Sequence, residues 1–253
     1  LNKQLVDTIC EKNIETFSDL HLFYECHSIY SIIFSECMRG NENNAIAYSK
    51  RLTSLVVEVL NKKSEISYHL CESFLMIEPM VYVLFGLWEH ISKTISLQYT
   101  TSELFYTYAK GVSFLKMNDL LNSKKEVDKF EILINKISEN RVFYNENLKN
   151  IANVAFNVLI AEYEYHTGDL NYTCTLEEAL SMESDLSYNR PPVWLIPVRQ
   201  TYGTHLLEQG ETRLSSIMFI DDLKTWPKNI WSTRGLLESQ KKILKEIETL
   251  KSS

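Results

Sequence analysis

One stretch near the C-terminal end, "RQTYGTHLLEQGETRLSSIMFIDDLKTWPKN", most restricts what this chain can fold into. It predicts two antiparallel helices. Gly203 falls where the two helices approach too closely for a side chain, and Gly210 falls at the turn between them, where a left-handed backbone favours glycine. Ser215 and Phe219 then supply a small and a large side chain on the second helix, and Pro227 ends that helix.

Similar polar breaks recur along the chain between amphipathic runs of helical periodicity. Their markers are Gly40, Gly86, Asn118, Gly168 and Gly210, separated by 32 to 50 residues. A loose recurrence of this kind predicts helical hairpins that bury their apolar faces by stacking on their neighbours. We therefore expect one helical-repeat domain of about eleven or twelve helices over residues 1–253, with almost no strand.

Composition supports the all-α prediction and excludes several functions. Only 7 Gly and 5 Pro are present, too few for the turns of a many-stranded sandwich or barrel, whereas 45% apolar residues suffice for a core. The formal charge of −7, without a basic cluster, argues against nucleic acid, and no apolar run is long enough for a membrane span. Five scattered cysteines without a C-x-x-C pair favour a reducing, cytoplasmic setting, and the first residue, Leu1, indicates a trimmed N terminus.

Residues 196–229 resemble a tetratricopeptide repeat (TPR) in the positions of the close-packing glycine, the turn glycine and the terminal proline. A weaker likeness over residues 22–240 is similar to a group of uncharacterised TPR proteins best known from bacteria. It includes the linker "DLSYNRPPVWLIP" before the last repeat pair and a histidine helix at His27. The resemblance implies an α-solenoid of antiparallel helix pairs, a right-handed superhelix whose concave face binds a protein or peptide.

The repeat register places candidate binding residues on the first helix of each pair. Polar and aromatic residues at these places, in the linker and on the His27 helix form the candidate partner-binding set: His27, Tyr30, Glu162, Tyr165, Trp194, Arg199, Gln200 and Thr204. Trp194 has two open roles, since it either staples the linker to the following repeat or lines the groove. The clamp that holds chaperone carboxylates in some TPR proteins needs Lys, Asn and Arg at places where this chain has Gln200 and Thr204.

Glu162 and Arg199 each lie among apolar residues, where an unpaired charge is costly. We expect each to pair with the other or with another polar side chain on the concave side, at the place where a ligand docks.

A second hypothesis places an enzyme or metal site inside the superhelix around His27 with Glu162 or Arg199. The nearest local group of possible metal ligands is His21, Glu25, Cys26 and His27. No nucleophile elbow, P-loop, dinucleotide fingerprint or H-E-x-x-H motif occurs, so no catalytic residue, metal or cofactor is assigned. The sequence favours the binding scaffold, and metal analysis of the purified protein would separate the two hypotheses.

Overall fold

The chain is helical almost throughout, which confirms the predicted all-α class. The computed structural model describes residues 19–61 and 71–252, of which 77% are helical. Within these ranges there are eleven α-helices, one 3₁₀ helix and one short hairpin of two strands. Leu1, discussed above, and one of the five cysteines, Cys10, lie outside the described residues.

The elements follow one another with short connections. In chain order they are α1 (Asp19–Met38), α2 (Glu42–Asn61), the 3₁₀ helix η1 (Glu72–Met76), α3 (Ile77–Leu84), α4 (Trp88–Lys93), α5 (Thr100–Lys116), α6 (Leu120–Ile134), β1 (Val142–Phe143), β2 (Glu146–Asn147), α7 (Leu148–Thr167), α8 (Tyr172–Asp185), α9 (Val198–Glu208), α10 (Thr212–Thr225) and α11 (Ile230–Ser252).

The chain divides into two compact units. The first contains the described residues through Cys37 together with Asn41–Leu195, and the second contains Met38–Gly40 and the residues from Ile196 onward.

Helix pairs form the body of the first unit. Helix α5 packs on α6 and α7 packs on α8, while α7 also contacts α5 and α6. A Cβ atom on Gly111 of α5 would lie 2.7 Å from Leu159 Cδ1 of α7, so only glycine permits this approach. The Ser123 hydroxyl of α6 donates a hydrogen bond to the Gly111 carbonyl at 3.0 Å, which joins the two helices of the pair.

The second unit repeats this packing in α9 and α10. A Cβ atom on Gly203 would lie 2.9 Å from Phe219 Cζ, which confirms the close approach predicted there. Ser215, fully buried, donates to the Gly203 carbonyl at 2.7 Å. Helix α11 then packs on both α9 and α10. The pair Gly203–Ser215 thus has the same spacing and the same hydrogen bond as Gly111–Ser123.

All five predicted turn markers have a left-handed backbone. Four are glycines, and the fifth is Asn118, with φ of 58°. Gly210 has φ of 87° and lies just past the end of α9. Its amide donates to the Leu207 carbonyl, and the next amide donates to the Leu206 carbonyl, so the last carbonyls of α9 are satisfied as in a Schellman turn.

A cluster of aromatic rings fills the core of the first unit beside η1. Phe74 of η1 contacts Tyr30 of α1 and Phe143 of β1, with ring centroids 6.3 Å and 5.0 Å apart. The neighbouring Glu72 is fully buried and accepts hydrogen bonds from the Thr101 amide and hydroxyl at 2.8 Å and 2.5 Å. These bonds compensate the buried carboxylate and cap the start of α5.

Residues 187–195, here called the crossing segment, connect α8 with α9 but pack within the first unit. The Ser187 amide donates to Glu146 Oε2 at 2.6 Å, and the Pro192 carbonyl accepts from Tyr30 Oη at 2.5 Å. Trp194 is buried, with its ring 5.6 Å from that of Tyr108 in an edge-to-face arrangement. A non-helical length of chain is therefore held on α1 and α5 by polar and aromatic contacts.

None of the described helices is both long and apolar enough to cross a membrane.

Candidate functional site

A polar cluster lies on the first unit where α5 and α7 meet, and it contains the predicted residue Glu162. Lys116 Nζ of α5 donates to Glu162 Oε2 of α7 at 2.8 Å. One turn further on, His166 Nδ1 donates to the Glu162 carbonyl at 2.8 Å and lies 3.8 Å from Glu162 Oε2. The Glu162 side chain is 8% exposed and that of Lys116 is 27% exposed, so the cluster is compensated but reachable from solvent.

The hydrogen bond at His166 leaves its other ring nitrogen available. Since Nδ1 donates to a carbonyl, the neutral ring carries its lone pair on Nε2. The cluster thus offers an ammonium donor on Lys116, an imidazole acceptor on His166 and a carboxylate on Glu162 between them. Tyr165, also predicted, is half-buried and packs edge-to-face on Tyr172 with ring centroids 5.2 Å apart.

Tyr108 connects this cluster to the crossing segment. Burial, together with the nearby charge of Glu162, raises the pKa of the Tyr108 hydroxyl well above its ordinary value, so this group stays protonated. Trp194 packs against the same ring, so it holds the crossing segment on α5. The Trp194 indole nitrogen is buried without a hydrogen-bond partner among the described residues.

The predicted residues His27 and Tyr30 lie on α1 at the other end of the crossing segment. Tyr30 donates to Pro192, and His27 Nδ1 lies 3.0 Å from Tyr144 Oη. Burial lowers the pKa of His27 and raises that of Tyr144, which favours a neutral imidazole accepting from the phenol. His27 is therefore joined to the hairpin between β1 and β2.

The turn of that hairpin places Tyr144 in an uncommon backbone conformation. Phe143 pairs with Glu146, so Tyr144 and Asn145 form a two-residue turn, and Tyr144 has φ of 57°. Glycine is the usual residue there, because a bulky side chain at positive φ is strained. Contacts of the Tyr144 ring with Phe23, Phe74 and His27 hold it in this conformation.

The remaining predicted residues lie in the second unit beside a buried carboxylate, Asp222. Asp222 Oδ2 accepts from Ser232 Oγ at 2.5 Å and from Asn229 Nδ2 at 2.9 Å. Burial raises the pKa of Asp222, while these two hydrogen bonds, the Gln200 side chain and the charge of Arg199 act in the opposite direction.

Arg199 and Gln200 thus lie toward Asp222. The exposed Thr204 donates its hydroxyl to the Gln200 carbonyl at 2.8 Å.

Glu162 has a polar partner inside its own unit, because Lys116 Nζ lies 2.8 Å from Glu162 Oε2. The charge of Arg199 acts on the pKa of Asp222 in the second unit. His27 has a different partner again, Tyr144. In residues 19–61 and 71–252, no three His, Cys, Asp or Glu side chains are grouped so that they could hold a metal ion.

Sequence reasoning missed Lys116, Tyr108, Tyr144 and Asp222. A signal for Lys116 was present, since it lies two residues before the turn residue Asn118, as His166 lies two residues before Gly168. Aligning the helix pairs on their turn residues would have placed Lys116 and His166 at equivalent positions in the last turn of their helices. Tyr144 and Asp222 have no such signal, because their partners are set by packing between distant segments.

Comparisons with family models, curated proteins and solved structures find no match for this chain.

Proposed function

We propose that the chain is a TPR-like α-solenoid that binds an extended peptide segment of a protein partner. The single observation that carries this proposal is the crossing segment, a non-helical, proline-containing length of chain already held on α1 and α5. Tyr30 contacts its main chain and Tyr108 anchors its tryptophan. Main-chain hydrogen bonds with an aromatic anchor are the means by which helical and sheet surfaces recognise extended peptides.

The Lys116–Glu162–His166 cluster is the proposed docking point for the partner. The charge of Glu162 acts on Tyr108, which holds the ring of Trp194, and the cluster presents an ammonium group, an imidazole and a carboxylate that are only partly covered. The recurrence of the Gly–Ser hydrogen bond in two helix pairs supports the repeat architecture that would present this face. A bound peptide would continue along α5 and α7 beyond Trp194.

Peptide display on the purified chain tests the proposal. A random peptide library is selected on the protein, and the dissociation constants of the selected peptides are measured by fluorescence anisotropy. The double variant Lys116→Glu with Glu162→Lys keeps an opposite-charge pair but exchanges the positions of the positive and the negative charge. We expect it to weaken binding by roughly tenfold or more, since charged groups in a recognition site set specificity.

An exposed ion pair on α4 supplies the matched control. Lys93 Nζ lies 3.6 Å from Glu89 Oε2, and the exchange Lys93→Glu with Glu89→Lys should leave peptide affinity within about twofold, as expected for a solvated pair. The proposal fails if no peptide is enriched, or if both exchanges leave the affinity of every selected peptide unchanged.

A further inference from the structure

The last helix, α11, has an apolar surface that no other described element covers. Four large apolar side chains on it are exposed: Leu237 by 51%, Leu244 by 61%, Ile247 by 38% and Leu250 by 77%. Leu237 and Leu244 are two turns apart on one side of the helix, and Ile247 lies next to Leu244 on the following turn. Gln240 lies between Leu237 and Leu244 on this side, and Leu250 lies alongside Ile247. The four exposed apolar residues are here called the α11 strip.

The C-terminal half of α11 has little support from the rest of the second unit. Within residues 240–250, Ile243 alone is half-buried and the other side chains are exposed. The unit contacts this part through Lys242, which donates to the Leu207 carbonyl, and Glu246, which accepts from the Thr212 hydroxyl. An isolated helical segment of this length is marginal in water, so an apolar strip along it favours a packing partner.

We propose that the α11 strip pairs with the same strip of a second copy of this chain, with the two helices antiparallel. Leu237 and Leu244 occupy one heptad position and Ile247 the next core position, with Leu250 alongside, as in a two-helix seam. This interface is separate from the peptide-binding surface proposed for the first unit.

Charge complementarity identifies the second copy and its direction. Lys241 and Glu248 lie on the same side of the strip. The point midway between them along the helix falls beside Leu244. When two copies are antiparallel about that midpoint, Lys241 of each lies beside Glu248 of the other. Glu248 has no ion-pair partner among the described residues, and Lys241 bonds to the exposed Glu238 at 2.7 Å.

A parallel pair would not match these charges. In a parallel seam, Lys241 and Glu248 would face Leu236, Ile243 and Leu250 of the other copy, so each charge would lie against an apolar side chain. In the antiparallel pair the charged sides meet each other, so Lys241 and Glu248 are matched with each other instead of with apolar side chains. The antiparallel arrangement is therefore the one that the charges favour.

Sedimentation of the full chain over a range of concentrations tests the pairing. We expect a reversible dimer whose dissociation constant is on the order of micromolar, because the strip is short compared with a permanent interface. Leu244→Gln should abolish the dimer in this range. Lys241→Glu and Glu248→Lys each place like charges together and should raise the dissociation constant by roughly tenfold or more.

Mixing the two charge variants gives the decisive measurement. Lys241→Glu carries two acidic residues beside its strip and Glu248→Lys carries two basic ones, so an equimolar mixture should form a heterodimer at parental strength. Lys245→Glu makes the same charge change one turn away and off the strip, and it should not alter the dimer. Circular dichroism of each variant confirms that the helices remain formed.

Three results would overturn the proposal. The first is a parent chain that sediments as a monomer at the highest concentrations. The second is a dimer that Leu244→Gln leaves intact. The third is a mixture of the two charge variants that associates no better than each variant alone.

Discussion

Asp222 is the residue whose chemistry depends most directly on folding. Its carboxylate is buried in the second unit among Ser232, Asn229 and Gln200, and Arg199 brings a positive charge toward it. Loss of hydration disfavours the ionised form, and this effect exceeds that of the hydrogen bonds, so the pKa is raised from its ordinary 3.8. The folded chain thus holds the Asp222 proton more tightly than the unfolded chain.

The expected consequence is a pH dependence of stability with a definite sign. Because the folded pKa is raised, the contribution of Asp222 is complete below 3.8 and is lost as the pH rises through the folded pKa. The Asp222→Asn variant has no carboxyl group at this position, so its stability does not fall with pH for this reason. The free energy of unfolding of the parent, relative to that of Asp222→Asn, should therefore fall as the pH rises from about 4 toward neutrality and then level off.

Urea unfolding of both proteins across this pH range, followed by fluorescence of Trp226 and Trp231 in the second unit, measures the difference. Acidic groups shared by the two proteins cancel in it. A difference that rises with pH would show that hydrogen bonds outweigh burial at Asp222, and one that stays constant would show that the two effects cancel; either result contradicts the prediction.

Single residues were predictable from the sequence where their role depends on the local helix pair. Gly203, Gly210 and Ser215 were placed correctly because the close approach, the turn and the small-residue position all lie within one hairpin. The partners of Glu162 and Asp222 were not, since Lys116 lies 46 residues before Glu162 and Ser232 lies on the next helix after Asp222. Periodicity indicates which face of a helix is buried, but it does not indicate which charged residue of another helix will contact that face.

At the scale of elements, the contact between α9 and α10 depends on a ring held between glycines. Phe219 of α10 lies against Gly203 of α9 and also against Gly235 of α11. A side chain at either glycine would press on the tip of the same ring, so the ring has to shift to admit it. This close packing therefore depends on three positions in three helices.

Gly203→Leu should accordingly destabilise the protein by about 1–3 kcal/mol or more, the range for overpacking of a closely packed site. Gly210→Val serves as the matched substitution, because a Cβ atom there would have no neighbour within 4 Å and only the backbone at φ of 87° is strained. It should cost about 1–2 kcal/mol. Thermal melts that match the parent for both variants would contradict the packing of α9 on α10.

The helices and their turns were predictable, but the hairpin at Val142–Asn147 was not. Its turn, Tyr144-Asn145, has no glycine or proline, which are the residues that usually mark such a turn in a sequence. The tyrosine accepts a positive φ because its ring is fixed by Phe23, Phe74 and His27. Tertiary packing thus decides the conformation against local preference.

At the scale of the whole molecule, helix dominates and the described strands amount to two residues each. Far-UV circular dichroism should show the two minima of α-helix, with helix as the main component, in agreement with 77% of the described residues. Infrared spectra in the amide I region supply an independent measurement. A strand band large enough for a sheet of three or more strands would contradict the fold.

The crossing segment limits where genetic recombination could divide a chain of this kind without disturbing the first unit. Trp194 and Leu195 follow the last helix of the first unit, yet they are buried within that unit. Recombination that joined a foreign segment directly after Asp185 would keep every described helix of the first unit and still leave the Tyr108 ring without its tryptophan. The first unit ends at Leu195, ten residues beyond its final helix, so we expect an exchange of genetic material to preserve its packing when it falls after that point.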